Sequence, residues 1–130
     1  METKYAFLLI EDNRIDQFIA QKLLKKMDYV FRINIANNGN EGLEWLCDNR
    51  KKINEPLIIL LDIRMPIMNG SQFLIEYEKL EDDQKRETQI FMLSSSLDDD
   101  EIKHLKNNVN VTDFLSKPLS IYEFNKNNIF

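Results

Sequence analysis

The sequence predicts an α/β fold: a doubly wound parallel sheet of five strands with helices on both faces. Three observations carry this. Short uninterrupted apolar runs, YAFLLI (5–10), PLIILL (56–61) and QIFML (89–93), recur along the chain. Such runs suit central parallel strands covered on both faces. Stretches with helical apolar spacing lie between them. Strand-like and helix-like segments then alternate five times, and right-handed crossovers turn that alternation into a parallel sheet.

The elements follow in order. YAFLLI is the first strand. Ile15, Ile19, Leu23 and Met27, with Phe18 beside them, mark the first helix, with Asn13 as its N-cap. VFRINI (30–35) alternates Phe31, Ile33 and Ile35 with Arg32 and Asn34, the pattern of a half-exposed edge strand. Leu43, Leu46 and Cys47 form the second helical stripe and place Cys47 in the core, while Trp45 falls off the stripe. PLIILL is the third strand. Phe73, Leu74, Tyr77 and Leu80 mark the third helix, which Asn69 caps just before Gly70. QIFML is the fourth strand. Ile102, Leu105 and Val109 mark the fourth helix after the acidic start Asp98-Asp99-Asp100-Glu101, where Asp98 and Glu101 have capping-box spacing. VTDFL (111–115) is the weakest strand, and Ser120 with Glu123 repeats the capping-box spacing before a short fifth helix.

The totals bound the function. A chain of 130 residues has the size of one domain with a single core, and no Pro/Gly/Ser-rich linker or repeat divides it, so residues 1–130 read as one domain. A net charge of -5 argues against a phosphate-backbone binder, which normally shows a basic face. Cys47 is the one cysteine, so no internal disulfide forms. No apolar stretch approaches membrane-spanning length, and charge returns at Glu11 before any signal-peptide apolar region develops. The expected location is the cytoplasm.

In open α/β sheets, ligands bind at the carboxyl ends of the strands. Here those ends carry Glu11-Asp12, Asp62, Ser94-Ser95-Ser96 and Ser116-Lys117-Pro118. If the first and third strands are neighbours, Glu11, Asp12 and Asp62 crowd together. Crowded carboxylates repel and call for a cation. A hard divalent ion suits oxygen donors, and Mg²⁺ in particular keeps waters and leaves room for phosphate oxygens. A nearby lysine then pairs with the anion such an ion attracts.

With these residues in this order, the chain resembles the response-regulator receiver domain of two-component signalling. Glu11-Asp12, Asp62 in LDIRMPIMNG, Ser94 after FML, and Lys117-Pro118 after DFLS carry the resemblance over essentially the whole chain. It implies the (βα)5 flavodoxin-like arrangement with strand order 2-1-3-4-5. It implies that Asp62 is the phosphoacceptor, taking a phosphoryl group from the phosphohistidine of a sensor histidine kinase. Asp12 and Asp62 would bind Mg²⁺ with the backbone carbonyl of Arg64, and Glu11 would act mainly through water on the ion. Lys117 would contact the phosphoryl oxygens rather than lock Asp62. Ser94 and Phe114 would form the switch pair, although phenylalanine stands where the family often has tyrosine. Arg64 and Ser96 would tune the lifetime of the acyl phosphate, and the Lys117–Pro118 peptide would be cis. The protein would assist its own phosphorylation and dephosphorylation without being an enzyme.

Taken singly, each residue has a plainer reading. Asp62 alone is a turn or cap residue, Lys117 alone a solvated lysine, and Ser95 competes with Ser94 for the strand-end position. Asp16 reads as decoration of the first helical turn, and His104 as a solvated side chain. The ordered set argues for the sharper reading. Output would then run through protein contacts on the face of helix 4, strand 5 and helix 5, toward an output protein or a histidine phosphotransfer protein, with a homodimer left open. A phosphorelay shuttle is the nearest alternative. A Mg²⁺-dependent aspartyl phosphatase is less favoured, because Arg64 stands where such enzymes want a second Asp. A receiver that never takes phosphate is the remaining class.

Overall fold

The computed structural model describes residues 3–95 and 98–126 of the chain. Five parallel strands, β1 (Tyr5–Ile10), β2 (Val30–Ala36), β3 (Leu57–Asp62), β4 (Thr88–Ser94) and β5 (Val111–Ser116), form one sheet in the order β2-β1-β3-β4-β5. This is the expected flavodoxin-like receiver arrangement. Among the described residues, α1 (Arg14–Lys25), α2 (Gly39–Asn49), α3 (Gly70–Glu78), α4 (Asp82–Lys85) and α5 (Asp99–Leu105) lie between strands and α6 (Ile121–Lys126) follows β5, six helices in all, with a 3₁₀ turn at Arg50–Lys52. The sequence pattern showed five. The additional one is the single turn α4, too short for an apolar stripe, so the fourth and fifth expected helices are α5 and α6.

Successive residues of a strand face opposite sides, and the core divides accordingly. Ala6, Leu8 and Ile10 of β1 pack with Leu46 of α2, Phe73, Leu74 and Tyr77 of α3, and Leu105 of α5. Phe7 and Leu9 pack on the other side with Ala20 and Leu24 of α1 and Phe124 of α6. Burial on both faces is why β1 and β3 read as unbroken apolar runs. β2 lies at the edge, as its alternating pattern predicted.

Three packing expectations are corrected. In α1 the buried residues are Ala20 and Leu24, whereas Ile15 is 70% and Phe18 57% exposed. A strict four-residue stripe drifts around a 3.6-residue helix, so Ile15 is carried off the face that Leu23 and Met27 share. In α2 the buried line runs through Gly42 and Leu46 and on to Arg50 in the 3₁₀ turn after it, and Cys47 is exposed. A Cβ on Gly42 would lie 2.5 Å from Ile10 Cδ1, so the helix rides against β1 at that glycine and turns Cys47 outward. Trp45, off the stripe, is half-buried against the core. Val109 lies beyond the end of α5 and is 88% exposed.

The far end of the sheet is tied by a buried arginine. Arg50 donates to the Arg86 carbonyl (Nε 3.0 Å, Nη2 2.6 Å) and to the Ile53 carbonyl (Nη1 3.1 Å). Arg86 donates to that same Ile53 carbonyl at 2.5 Å. Carbonyl dipoles thus stand in for a carboxylate partner around the Arg50 guanidinium, and burial lowers its pKa.

Candidate functional site

The site forms where β1, β3, β4 and β5 end. Because β1 and β3 pair directly, with Ile10 opposite Leu61, their carboxyl ends place Glu11 and Asp12 beside Asp62. One carboxylate oxygen from each of the three lies within 4.8 Å of the others. Glu11 and Asp62 are buried and Asp12 is exposed. Three converging carboxylates supply hard oxygen ligands only, a donor set that fits a small divalent cation such as Mg²⁺.

Lys117 enters from the end of β5. Its backbone N–H donates to the Ser94 carbonyl at 2.8 Å, which joins the ends of β4 and β5, and the Lys117–Pro118 peptide is cis. Its ammonium lies 2.9 Å from Glu11 Oε1, 2.9 Å from Asp62 Oδ1 and 3.5 Å from Asp16 Oδ2. The sequence reading kept Lys117 off Asp62. In the structure it pairs with Asp62, because the carboxylates converge on the ammonium that reaches among them. Asp16, read as helix decoration, faces the same ammonium. Its place one turn after Asp12 was the available signal.

The electrostatics follow from burial. Glu11 has its pKa raised from 4.5 to about 7, first by desolvation and then by the neighbouring Asp62 charge, against the opposing hydrogen bond from Lys117. Burial works against the Lys117 ammonium, but its contacts with Asp62 and Glu11 prevail and raise its pKa above the ordinary lysine value. Glu11 is held in place from several sides. The Asn13 N–H donates to its Oε2 at 3.1 Å, its own N–H donates to the Ala36 carbonyl at 3.0 Å, and its carbonyl accepts from Gln17 Nε2 at 2.5 Å. Asn13 also caps α1 through the N–H groups of Ile15 and Asp16.

The β3–α3 loop frames Asp62. The Arg64 N–H approaches Asp62 Oδ1 at 3.4 Å, and the Gly70 N–H donates to the Ile63 carbonyl at 2.9 Å. A Cβ on Gly70 would lie 2.9 Å from the Asp62 carbonyl oxygen, so only glycine lets α3 start this close to the acidic rim. Asn69 and Gln72 then close a capping box on α3. Ile67 takes a left-handed φ of 70°, and the Met68 N–H donates to the Pro66 carbonyl across it at 2.7 Å.

Ser94 is buried at the end of β4, and Phe114 of β5 sits half-buried opposite Met92. Ser96 lies outside the described residues. His104 is exposed, as expected. Sequence reasoning missed the partners of Arg64. Its Nε lies 2.5 Å from Asp98 Oδ1 and its Nη2 lies 3.0 Å from Glu101 Oε1. The expected side-chain cap of Asp98 on α5 is absent. Asp98 Oδ2 instead accepts from the Ser95 N–H at 2.7 Å and the Ser95 hydroxyl at 3.2 Å. An open cleft of about 450 Å³ lies beside this clamp, lined by Arg64, Met65, Pro66 and Glu101 among others.

Comparison with known proteins agrees with this geometry. Residues 7–127 match the family model described as response regulator receiver domain. The chain is 25% identical to the probable methanogenesis regulatory protein FilR2 of Methanothrix harundinacea, over 96% of this chain and 79% of that protein. It is 31% identical to hybrid signal transduction histidine kinase G of Dictyostelium discoideum over 88% of this chain, which spans only 3% of that kinase. It superposes on the crystal structure of a two-component response regulator from Cytophaga hutchinsonii with a TM-score of 0.84 and 26% identity, covering 98% and 96% of the two chains. No helix among the described residues is long and apolar enough to cross a membrane.

Proposed function

The chain belongs to the response regulator receiver domain family, and from that membership we propose that it works as a phosphorylation switch with Asp62 as the phosphoacceptor. The observation that carries this reading is the convergence of Glu11, Asp12 and Asp62 with the Lys117 ammonium at the strand ends. In the proposed step an Asp62 carboxylate oxygen attacks the phosphorus of a histidine kinase's phosphohistidine. The P–N bond breaks as the P–O bond of the acyl phosphate forms, and the histidine leaves with the electron pair. Phosphoryl transfer depends mainly on positioning and on neutralising the phosphoryl oxygens.

Glu11, Asp12, Asp62 and the Arg64 carbonyl are the groups that would hold Mg²⁺, which supplies charge neutralisation at the phosphoryl oxygens when bound. Lys117 releases Asp62 and follows the new anion, and Ser94 offers its hydroxyl from the end of β4. Phe114, lacking a hydroxyl, takes part in switching through packing alone. Arg64, two residues past Asp62, stands where it influences water attack on the acyl phosphate, a role also proposed for Ser96.

Proposed partners are a sensor histidine kinase and a protein that reads the α5–β5–α6 face, where Ile121 and Tyr122 are exposed. The match to a short part of a hybrid histidine kinase keeps a second reading in view, in which the phosphoryl group passes on to a histidine phosphotransfer protein. The test is incubation with acetyl phosphate and Mg²⁺ followed by intact mass. Wild type gains one phosphoryl group and Asp62→Asn gains none. An adduct on both proteins, or on neither, would refute the assignment.

A further inference from the structure

The start of α5 is unlike those of α1, α2, α3 and α6. Asn13, Asn38, Asn69 and Ser120 each accept a backbone N–H of the helix they precede. Asp98, at the same position before α5, caps nothing with its side chain. Yet Asp98 and Glu101 have the spacing of a capping box, in which the first carboxylate accepts the N–H of the residue three on and the second reaches back. The two carboxylates are engaged elsewhere. Arg64 holds Asp98 Oδ1 with Nε and Glu101 Oε1 with Nη2.

Asp98 is buried, and among the described residues its Oδ1 has no hydrogen-bond partner beyond this ion pair. Losing Arg64 would therefore leave the buried Oδ1 without a partner while Oδ2 keeps its two bonds from Ser95. The nearest donors by chain position are the free N–H groups of the first turn of α5. The same residues thus support two arrangements. One is the observed clamp; the other is a cap on α5 from the Asp98 carboxylate alone, since the Asp98 N–H that Glu101 would need already donates to the Ser95 carbonyl at 3.1 Å.

Arg64 is also the charged residue nearest in sequence to Asp62. Its own N–H faces Asp62 Oδ1, and its side chain is 58% exposed. A phosphoryl group carries about -1.5 to -2 charges and three acceptor oxygens. A guanidinium can pair bidentately with two oxygens of such a tetrahedral anion, as it does with carboxylates.

We propose that Arg64 is a latch with two anionic seats: it holds Asp98 and Glu101 while Asp62 is bare, and turns to the phosphoryl group once Asp62 carries one, so that the released Asp98 carboxylate caps the first turn of α5. The consequence is a change at the first turn of α5, the helix that borders the proposed output face. This rests on Asp62 being the phosphoacceptor. The latch links the β3–α3 loop to the segment following Ser94 by side-chain exchange, without requiring the aromatic residue on β5 to move.

The experiment measures amide exchange at Asp100 and Glu101 in the full chain, by NMR, alongside intact mass. Arg64→Ala, without any phosphoryl donor, is expected to slow exchange of these amides about fivefold, the effect of one cap. Wild type with acetyl phosphate and Mg²⁺, once its mass shows the adduct, is expected to slow to a similar extent. Unchanged exchange in Arg64→Ala overturns the latch, as does unchanged exchange in adduct-bearing wild type. Absence of an adduct on wild type overturns the phosphoacceptor reading and the phosphoryl half of the switch, while the Arg64→Ala arm still reads the clamp by itself.

Discussion

Lys117 Nζ lies 2.9 Å from Asp62 Oδ1, so the proposed nucleophile is ion-paired before any phosphoryl group arrives. The same ammonium lies 2.9 Å from Glu11, and it is what keeps two buried carboxylates tolerable beside each other. Lys117 therefore has a structural role as well as a proposed chemical one.

Replacing it separates the two roles. Lys117→Met leaves Glu11 and Asp62 without their ammonium partner and is expected to cost about 2–3 kcal/mol, below the range for a fully buried pair because Lys117 is partly exposed. Urea melts in the presence of a chelator read this loss. Mg²⁺ should restore much of it, since the cation binds the same carboxylates in the folded state only. The phosphoryl adduct should fall even when Mg²⁺ has recovered the stability. A variant that melts like wild type in chelator would show that the ion pair contributes little.

Glu11 sets a pH dependence with a definite sign. Its pKa rises from 4.5 to about 7 in the folded chain, chiefly through burial. Below 4.5 both folded and unfolded chains hold the proton. Between 4.5 and 7 the unfolded chain releases it and the folded chain keeps it, so stability from this group falls as pH rises through that window. The full shift corresponds to a loss on the order of 3 kcal/mol. Glu11→Gln removes the titration. In chelator, the stability of Glu11→Gln relative to wild type should grow between pH 5 and pH 8. An equal difference at both pH values would contradict the assignment.

The parts of this molecule that were legible in its sequence are those written in local patterns. Continuous apolar runs marked β1, β3 and β4 because both faces of the sheet are covered there. Glu11, Asp12, Asp62 and Lys117 were legible because a parallel sheet gathers the ends of its strands on one rim. The rotation of α1, the exposure of Cys47 and the Arg64 clamp were not. Each is decided by what a helix or side chain meets in three dimensions: Ala20 and Leu24 against the sheet, Gly42 against Ile10, and Arg64 against two carboxylates more than thirty residues away. The capping-box spacing of Asp98 and Glu101 misled, because both carboxylates pair with Arg64 and Asp98 caps nothing with its side chain.

Gly70 offers a test of how closely α3 must approach the acidic rim. Its missing Cβ would lie 2.9 Å from the Asp62 carbonyl oxygen and 3.1 Å from Ile63 Cα, both backbone atoms that cannot step aside alone. Gly70→Ala should cost about 1–3 kcal/mol and weaken the stabilisation by Mg²⁺, because the Asp62 backbone itself must shift. Gly39→Ala is the matched control. Its nearest neighbours are Met68 Sδ at 2.7 Å and Cγ at 2.8 Å, atoms of a flexible side chain, so its cost should be smaller and its Mg²⁺ response unchanged. Equal losses in the two variants would remove the argument for a backbone constraint at Gly70.

Ile67 carries strain that a substitution can release. It is β-branched, 74% exposed and held at a φ of 70° in the loop that follows Asp62. A β-branched residue in that region pays a steric cost that asparagine largely avoids. Being so exposed, its side chain returns little burial energy to offset the strain. Ile67→Asn is therefore expected to stabilise the fold by about 0.5–1 kcal/mol, read as a higher denaturation midpoint with an unchanged denaturant slope. If the strained loop serves approach to Asp62, the relaxed variant should also take up phosphoryl groups from acetyl phosphate at an altered rate while keeping the same final adduct. A variant less stable than wild type would mean that the Ile67 side chain contributes packing that outweighs its backbone strain.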